Sequence, residues 1–87
     1  MRTCDTIVLI MVDQLSAKWL ELADQLGIVD LPSIRNLRHQ GVTFTHAFCS
    51  NPVCSPSRAT IATGMTTRQH GVLENGYALP ASVPTFM

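Results

Sequence analysis

Three side chains in this sequence could together bind and attack a tetrahedral anion at a metal: Cys54, Arg58 and Asp13. Cys54 stands just ahead of residues 57–63 (SRATIAT), which read as a short helix stopped by Gly64. A helix start offers N–H groups with no partner inside the helix, together with a partial positive charge, so a nucleophile placed there meets anions. Arg58, in the first turn, adds a planar fork that bonds two oxygens at once. Asp13 closes the apolar run 7–12, at the carboxyl end of a buried strand, where open α/β sheets place their ligands. Two of these residues also have a plainer reading. Cys54 alone could be an inert thiol in a turn, and Asp13 alone could cap a helix.

The elements needed to position these groups follow from pattern. Residues 6–12 (TIVLIMV) are apolar without alternation and rich in β-branched side chains, as in a strand buried on both faces of a parallel sheet. Residues 16–26 carry Trp19, Leu20, Ala23 and Leu26 at helical spacing before Gly27, which predicts a helix with Trp19 in the core. A second helix is expected over 32–40, with Pro32 in its first turn, Ile34 and Leu37 as its apolar stripe and Gly41 at its end. Residues 42–48 (VTFTHAF) alternate as a second strand. Residues 49–56 read as a loop with two prolines, and the stretch after Gly64 is loop-rich, with no strong period. This order predicts the α/β class, as the opening of a sandwich with a mainly parallel sheet. Two strands do not make such a sheet, and no closing element precedes Met87, so residues 1–87 are expected to be the N-terminal segment of a larger catalytic domain.

Composition narrows the field. The chain has 87 residues, 46% hydrophobic and 14% charged, which describes ordered globular protein. That charged fraction is low for a free-standing small domain, as if more protein covered part of its surface. Six basic and six acidic residues give zero formal net charge, so neither nucleic acid nor an anionic membrane is suggested as partner. The run 7–12 is too short for a membrane span, which takes about 20 apolar residues, and no small-residue cleavage site follows it. A cytoplasmic setting is therefore the default expectation. Cys4, Cys49 and Cys54 are odd in number and fit neither a disulfide framework nor a paired zinc spacing. His39 and His46 read as surface or packing residues, and His70, beside a turn glycine, reads as structural more readily than as a substrate contact.

The stretch Cys54-Ser55-Pro56-Ser57-Arg58, continued by Thr63-Gly64, resembles the signature of the type I sulfatases. The resemblance extends to residues 8–14 (VLIMVDQ), similar to that family's first strand and its metal-binding carboxylate. It also takes in Pro32, Ile34, Leu37, Gly41, Phe44 and Ala47, and then His70-Gly71-Val72. Only three residues separate Cys54 from Arg58, which excludes the longer loop of the cysteine phosphatases.

The resemblance implies an alkaline-phosphatase-like α/β fold and a sulfuric ester hydrolase. In that family the cysteine is oxidised to formylglycine, whose aldehyde hydrates to a geminal diol. One diol oxygen attacks sulfur and expels the alcohol; the second hydroxyl then loses its proton, the carbonyl re-forms and sulfate leaves. A divalent metal assists, with calcium first among hard cations and magnesium or manganese as alternatives. Carried over, Cys54 is nucleophile and metal ligand, Arg58 stabilises it, and Asp13 is a metal ligand. Gln14 stands where many members have a second aspartate, and offers a carbonyl oxygen without charge. Members with that aspartate-glutamine pair include enzymes acting on phosphonate or phosphate esters and on choline sulfate. The implied partners are a small sulfate ester and a formylglycine-generating or sulfatase-maturing enzyme. Three other readings stand beside it: a phosphonate monoester or phosphodiester hydrolase, a non-catalytic fragment, and a thiol switch pairing Cys49 with Cys54.

Overall fold

Whether each expected element forms depends on where its backbone N–H and C=O groups find partners. A computed structural model describes residues 3–86, in two compact units, Met1–Thr43 and Phe44–Met87. Among the described residues four helices form: α1 (Ala17–Leu26), α2 (Pro32–Gln40), α3 (Cys54–Thr63) and α4 (Thr67–His70).

Neither expected strand is formed among the described residues. Residues 6–12 run as irregular chain with Ile7 87% exposed, and Phe44 and Phe48 in the second stretch are exposed as well. The physical reason is that a strand is half of a pairing. A helix satisfies its own amides, whereas TIVLIMV needs a neighbour along its edge and cover on both faces.

In the first unit the helices follow their end signals. Gly27 takes φ +61° and donates to Asp24 O at 3.3 Å, while Ile28 N donates to Ala23 O at 3.2 Å. This pair of bonds is the Schellman stop. Pro32 opens α2, and Gly41 N closes it on Leu37 O at 3.0 Å. Arg35 reaches Asp30 at 3.0 Å and Asp24 at 3.8 Å, and Arg38 reaches Asp24 at 3.8 Å, so two arginines of α2 converge on the last turn of α1. These pairs are half-exposed, and such pairs contribute little each. Trp19, expected in the core, is 71% exposed, and Leu37 is exposed too. Among the described residues of this unit, Leu20, Ala23, Leu31 and Ile34 alone are partly covered. Helical spacing fixed which residues share a face, and the unit supplies nothing large enough to bury that face.

The second unit holds the buried residues. Pro56, Ala59 and Ala62 recur every third position on one side of α3 and are buried there, with Val72 2% and His70 1% exposed. Small side chains let the neighbouring backbone approach closely, and α3 packs on α4. The helix begins three residues earlier than its pattern indicated. Val53 is its N-cap, at φ −93° and ψ 141°, and Ser57 N donates to Val53 O at 3.1 Å. Pro56 therefore lies within the first turn, where its missing N–H costs nothing. Cys54 is the first residue of the helix and does not stand ahead of it. At the far end Gly64, at φ +69°, donates to Thr60 O at 2.8 Å. The short α4 is opened by Gln69, whose side-chain oxygen accepts from Thr66 N at 2.9 Å.

Two asparagines fix the peptide units around Cys54. Asn51 Oδ1 accepts from Val53 N at 2.8 Å, and Asn75 Oδ1 accepts from Ser55 N at 2.9 Å across twenty positions of sequence. Removing the second acceptor should loosen the helix start. We expect Asn75→Ala to destabilise the unit by about 1 kcal/mol, the usual worth of a helix cap, and to speed amide exchange of Ser55. Asn75→Asp, which keeps an acceptor oxygen, should retain the protection. Gly64→Ala tests the other end: no atom lies within 4 Å of the added Cβ, so the cost is one of conformation alone. The melting temperature should fall by an amount matching about 1 kcal/mol.

Candidate functional site

Cys54 and Arg58 are four residues apart in α3, which sets them on the same helix face one turn from each other. Both are exposed. Pro56, Ala59 and Ala62 of the same helix are buried. Cys54 is a free thiol, as are Cys4 and Cys49; Cys4 Sγ donates to Thr6 O at 3.1 Å.

The electrostatics at this helix start favour an anion through charge more than through open donors. The first turn of α3 contains no acidic residue, so the turn carries no charge of its own against the positive end of the helix dipole. The open N–H groups expected ahead of Ser57 are largely engaged. Asn51 and Asn75 take those of Val53 and Ser55, Ser57 bonds within the helix, and Pro56 has none. Arg58, one turn on from Cys54, adds a side-chain donor to this face.

Asp13 and Gln14 form a turn in the first unit, and both are exposed. Gln14 is the one non-glycine residue at positive φ among the described residues, at φ 61°. A side chain in the left-handed region costs on the order of 1 kcal/mol, so this turn holds its two oxygen-bearing side chains in a conformation the chain does not favour by itself. Among the described residues no group of three His, Cys, Asp or Glu side chains is arranged to hold an ion. The donors present, a carboxylate and an amide oxygen, suit a hard cation and supply part of a ligand set.

His70 is buried with both ring nitrogens engaged. Its Nε2 lies 3.0 Å from Thr60 Oγ1, and its Nδ1 accepts from Val72 N at 3.1 Å. His39 and His46 are exposed, the latter with Nδ1 3.0 Å from Thr45 Oγ1. Sequence reasoning missed Asn51, Asn75 and Thr60. The Asn51-Pro52-Val53 step could have been read as an asparagine turn, in which the side chain bonds the backbone two residues on. The reach of Asn75 back to Ser55 has no local signal.

Comparison with known proteins agrees with the motif. The profile of the family described as Sulfatase matches residues 5–87. Arylsulfatase K of Xenopus laevis is 31% identical over 81 residues, covering 93% of this chain and 15% of its own length. An arylsulfatase of Clostridium perfringens is 37% identical over 70 residues, covering 75% of this chain and 13% of its own. A choline-sulfatase of Rhizobium meliloti is 30% identical over 80 residues, 92% of this chain and 15% of its own. No solved structure matches significantly. The chain thus spans about one seventh of the length of these relatives, and with the profile covering nearly every residue it belongs to the sulfatase family.

Proposed function

We propose that this protein hydrolyses sulfuric esters, with position 54, oxidised from cysteine to formylglycine, carrying the nucleophilic oxygen. The observation that supports this most is the pairing of Cys54 and Arg58 on one exposed face at the positive end of α3, in a chain whose family is that of sulfatases. Exposure leaves position 54 open to substrate. The dipole and the Arg58 fork favour the charge on the sulfate oxygens, the interaction a transition state of growing negative charge needs most. Arg58 also holds the nucleophile's own oxygen in place by a charge-assisted hydrogen bond.

The Asp13–Gln14 turn fits a hard divalent cation by donor type, with calcium preferred and magnesium or manganese as alternatives. Asp13 would hold it through its carboxylate, Gln14 through its amide oxygen and position 54 through the oxygen of the modified side chain. Such an ion supplies charge neutralisation and makes the attacking oxygen easier to deprotonate. Oxidation of Cys54 requires a sulfatase-maturing or formylglycine-generating partner. The relatives' names make aryl sulfates and choline sulfate the first substrates to try.

One observation favours a second reading. Gln14 carries no charge where a second aspartate would add one, so the ion is less neutralised and would accept the single negative charge of a phosphonate monoester or phosphodiester as readily as that of a sulfate ester. Rates on matched sulfate and phosphonate esters decide between the two.

The protein carrying this chain, produced together with a maturing enzyme, should show the peptide containing residue 54 lighter by about 18 Da, the change from thiol to aldehyde. Cys54→Ala should lower sulfate ester turnover by about a thousandfold or more. A retained thiol at 54, with turnover undiminished in Cys54→Ala, would falsify the proposal. Asp13→Asn should raise the calcium concentration needed for half-maximal activity by about tenfold or more, since a carboxylate ligand is exchanged for a neutral one. An unchanged calcium requirement would remove Asp13 from the ligand set.

A further inference from the structure

His70 is the most deeply buried polar residue described, at 1% exposed, and nothing in the proposed chemistry uses it. Its surroundings define its state. The backbone N–H of Val72 can only donate, so His70 Nδ1, 3.1 Å away, accepts and carries no proton. The ring proton is then on Nε2 and donates to Thr60 Oγ1 at 3.0 Å. Thr60 lies in the middle of α3, between the buried Ala59 and the exposed Ile61. Val72 is itself 2% exposed and lies just past the stop of α4.

We infer that His70 is a positioning residue: its Nε2–H tautomer bridges Thr60 of α3 to the backbone of Val72 and thereby holds the helix that presents Cys54 and Arg58. The ring contacts no substrate, because both nitrogens are spent and the side chain is closed off from solvent. It acts through Thr60. The buried side chains of α3 are two alanines and a proline, small groups that constrain its rotation and sliding weakly, whereas a hydrogen bond at a fixed point of the ring is directional. The consequence for catalysis rests on the sulfatase reading; the bridge itself does not.

The variants of choice are Thr60→Val, which keeps the shape and deletes the acceptor, and Thr60→Ser, which keeps the hydroxyl. Both are made in the protein carrying this chain. In the wild type, nitrogen NMR should show a pyridine-type Nδ1 and a pyrrole-type Nε2 at His70. Thr60→Val should speed amide exchange in α3 and lower kcat on a sulfate ester by about ten- to a hundredfold with KM changed less than about threefold. Thr60→Ser should return both quantities to within about threefold of wild type. The inference is overturned by the opposite tautomer, by wild-type exchange in α3 of Thr60→Val, or by a Thr60→Val variant that raises KM and leaves kcat intact, the behaviour of a substrate-binding group. If the wild type turns over no sulfate ester, the sulfatase reading fails, and the NMR and exchange results still decide on the bridge.

Discussion

A helix must begin with amide N–H groups that no earlier turn can satisfy, and the second unit is organised around how α3 resolves this next to Cys54. Both side chains that answer the need are asparagines, Asn51 at Val53 and Asn75 at Ser55. An aspartate would accept the same bonds and would be the stronger cap by charge. It would also set a negative group beside the position proposed to receive a sulfate ester. A neutral acceptor satisfies the backbone and adds no charge against the helix dipole, as the proposed anion site requires. Local stability and anion binding make opposite demands on the charge at this point, and the amide side chain meets both.

Among the described residues the interior behind that helix is made of small apolar side chains around one polar group, the ring of His70. Ala59, Ala62, Pro56 and Val72 bury little surface between them, and surface removed from water is worth only about 25 cal/mol per Å². Such a core specifies position poorly, because small side chains leave several packings of similar energy. The imidazole of His70 removes that freedom. A buried ring left unsatisfied would cost a few kcal/mol, so arrangements that break its bonds to Thr60 or Val72 are excluded by the penalty more than the native one is favoured by the gain. Gly71, at φ +74°, lets the chain turn back sharply enough for Val72 N to face the ring of the residue two before it.

What could be read from sequence divides along the same physical line. The helices α1 and α2 were legible because they carry their own instructions: apolar spacing, a proline at the start, glycines at the ends. The pairing of Cys54 with Arg58 was legible because four residues on a helix determine a shared face. The start of α3 was misread because Cys-Ser-Pro looks like a loop, although a proline in the first turn is compatible with helix. The short α4 was missed although Thr66 and Gln69 hold the spacing of a capping box. Trp19 shows the limit of periodicity, which tells which residues share a face and not what covers it. Asn75, Thr60 and His70 were invisible as a set, since their partners are ten or twenty residues away and no period links them.

Residues 6–12 and 42–48 press the point furthest. Their composition states a demand, burial on both faces and pairing along an edge, and the described residues leave it unmet. Sulfatase membership implies an alkaline-phosphatase-like α/β fold, and a strand in a parallel sheet draws its neighbours through crossover connections of a dozen or more residues. Its partners are therefore distant in sequence by construction. The turn at Asp13 and Gln14 differs in kind, because Gln14 already holds its left-handed backbone where the preceding residues form no sheet. The bend at the candidate ligands is thus present before any sheet pairs the residues ahead of it, and it carries a left-handed residue as a conformational cost within the turn.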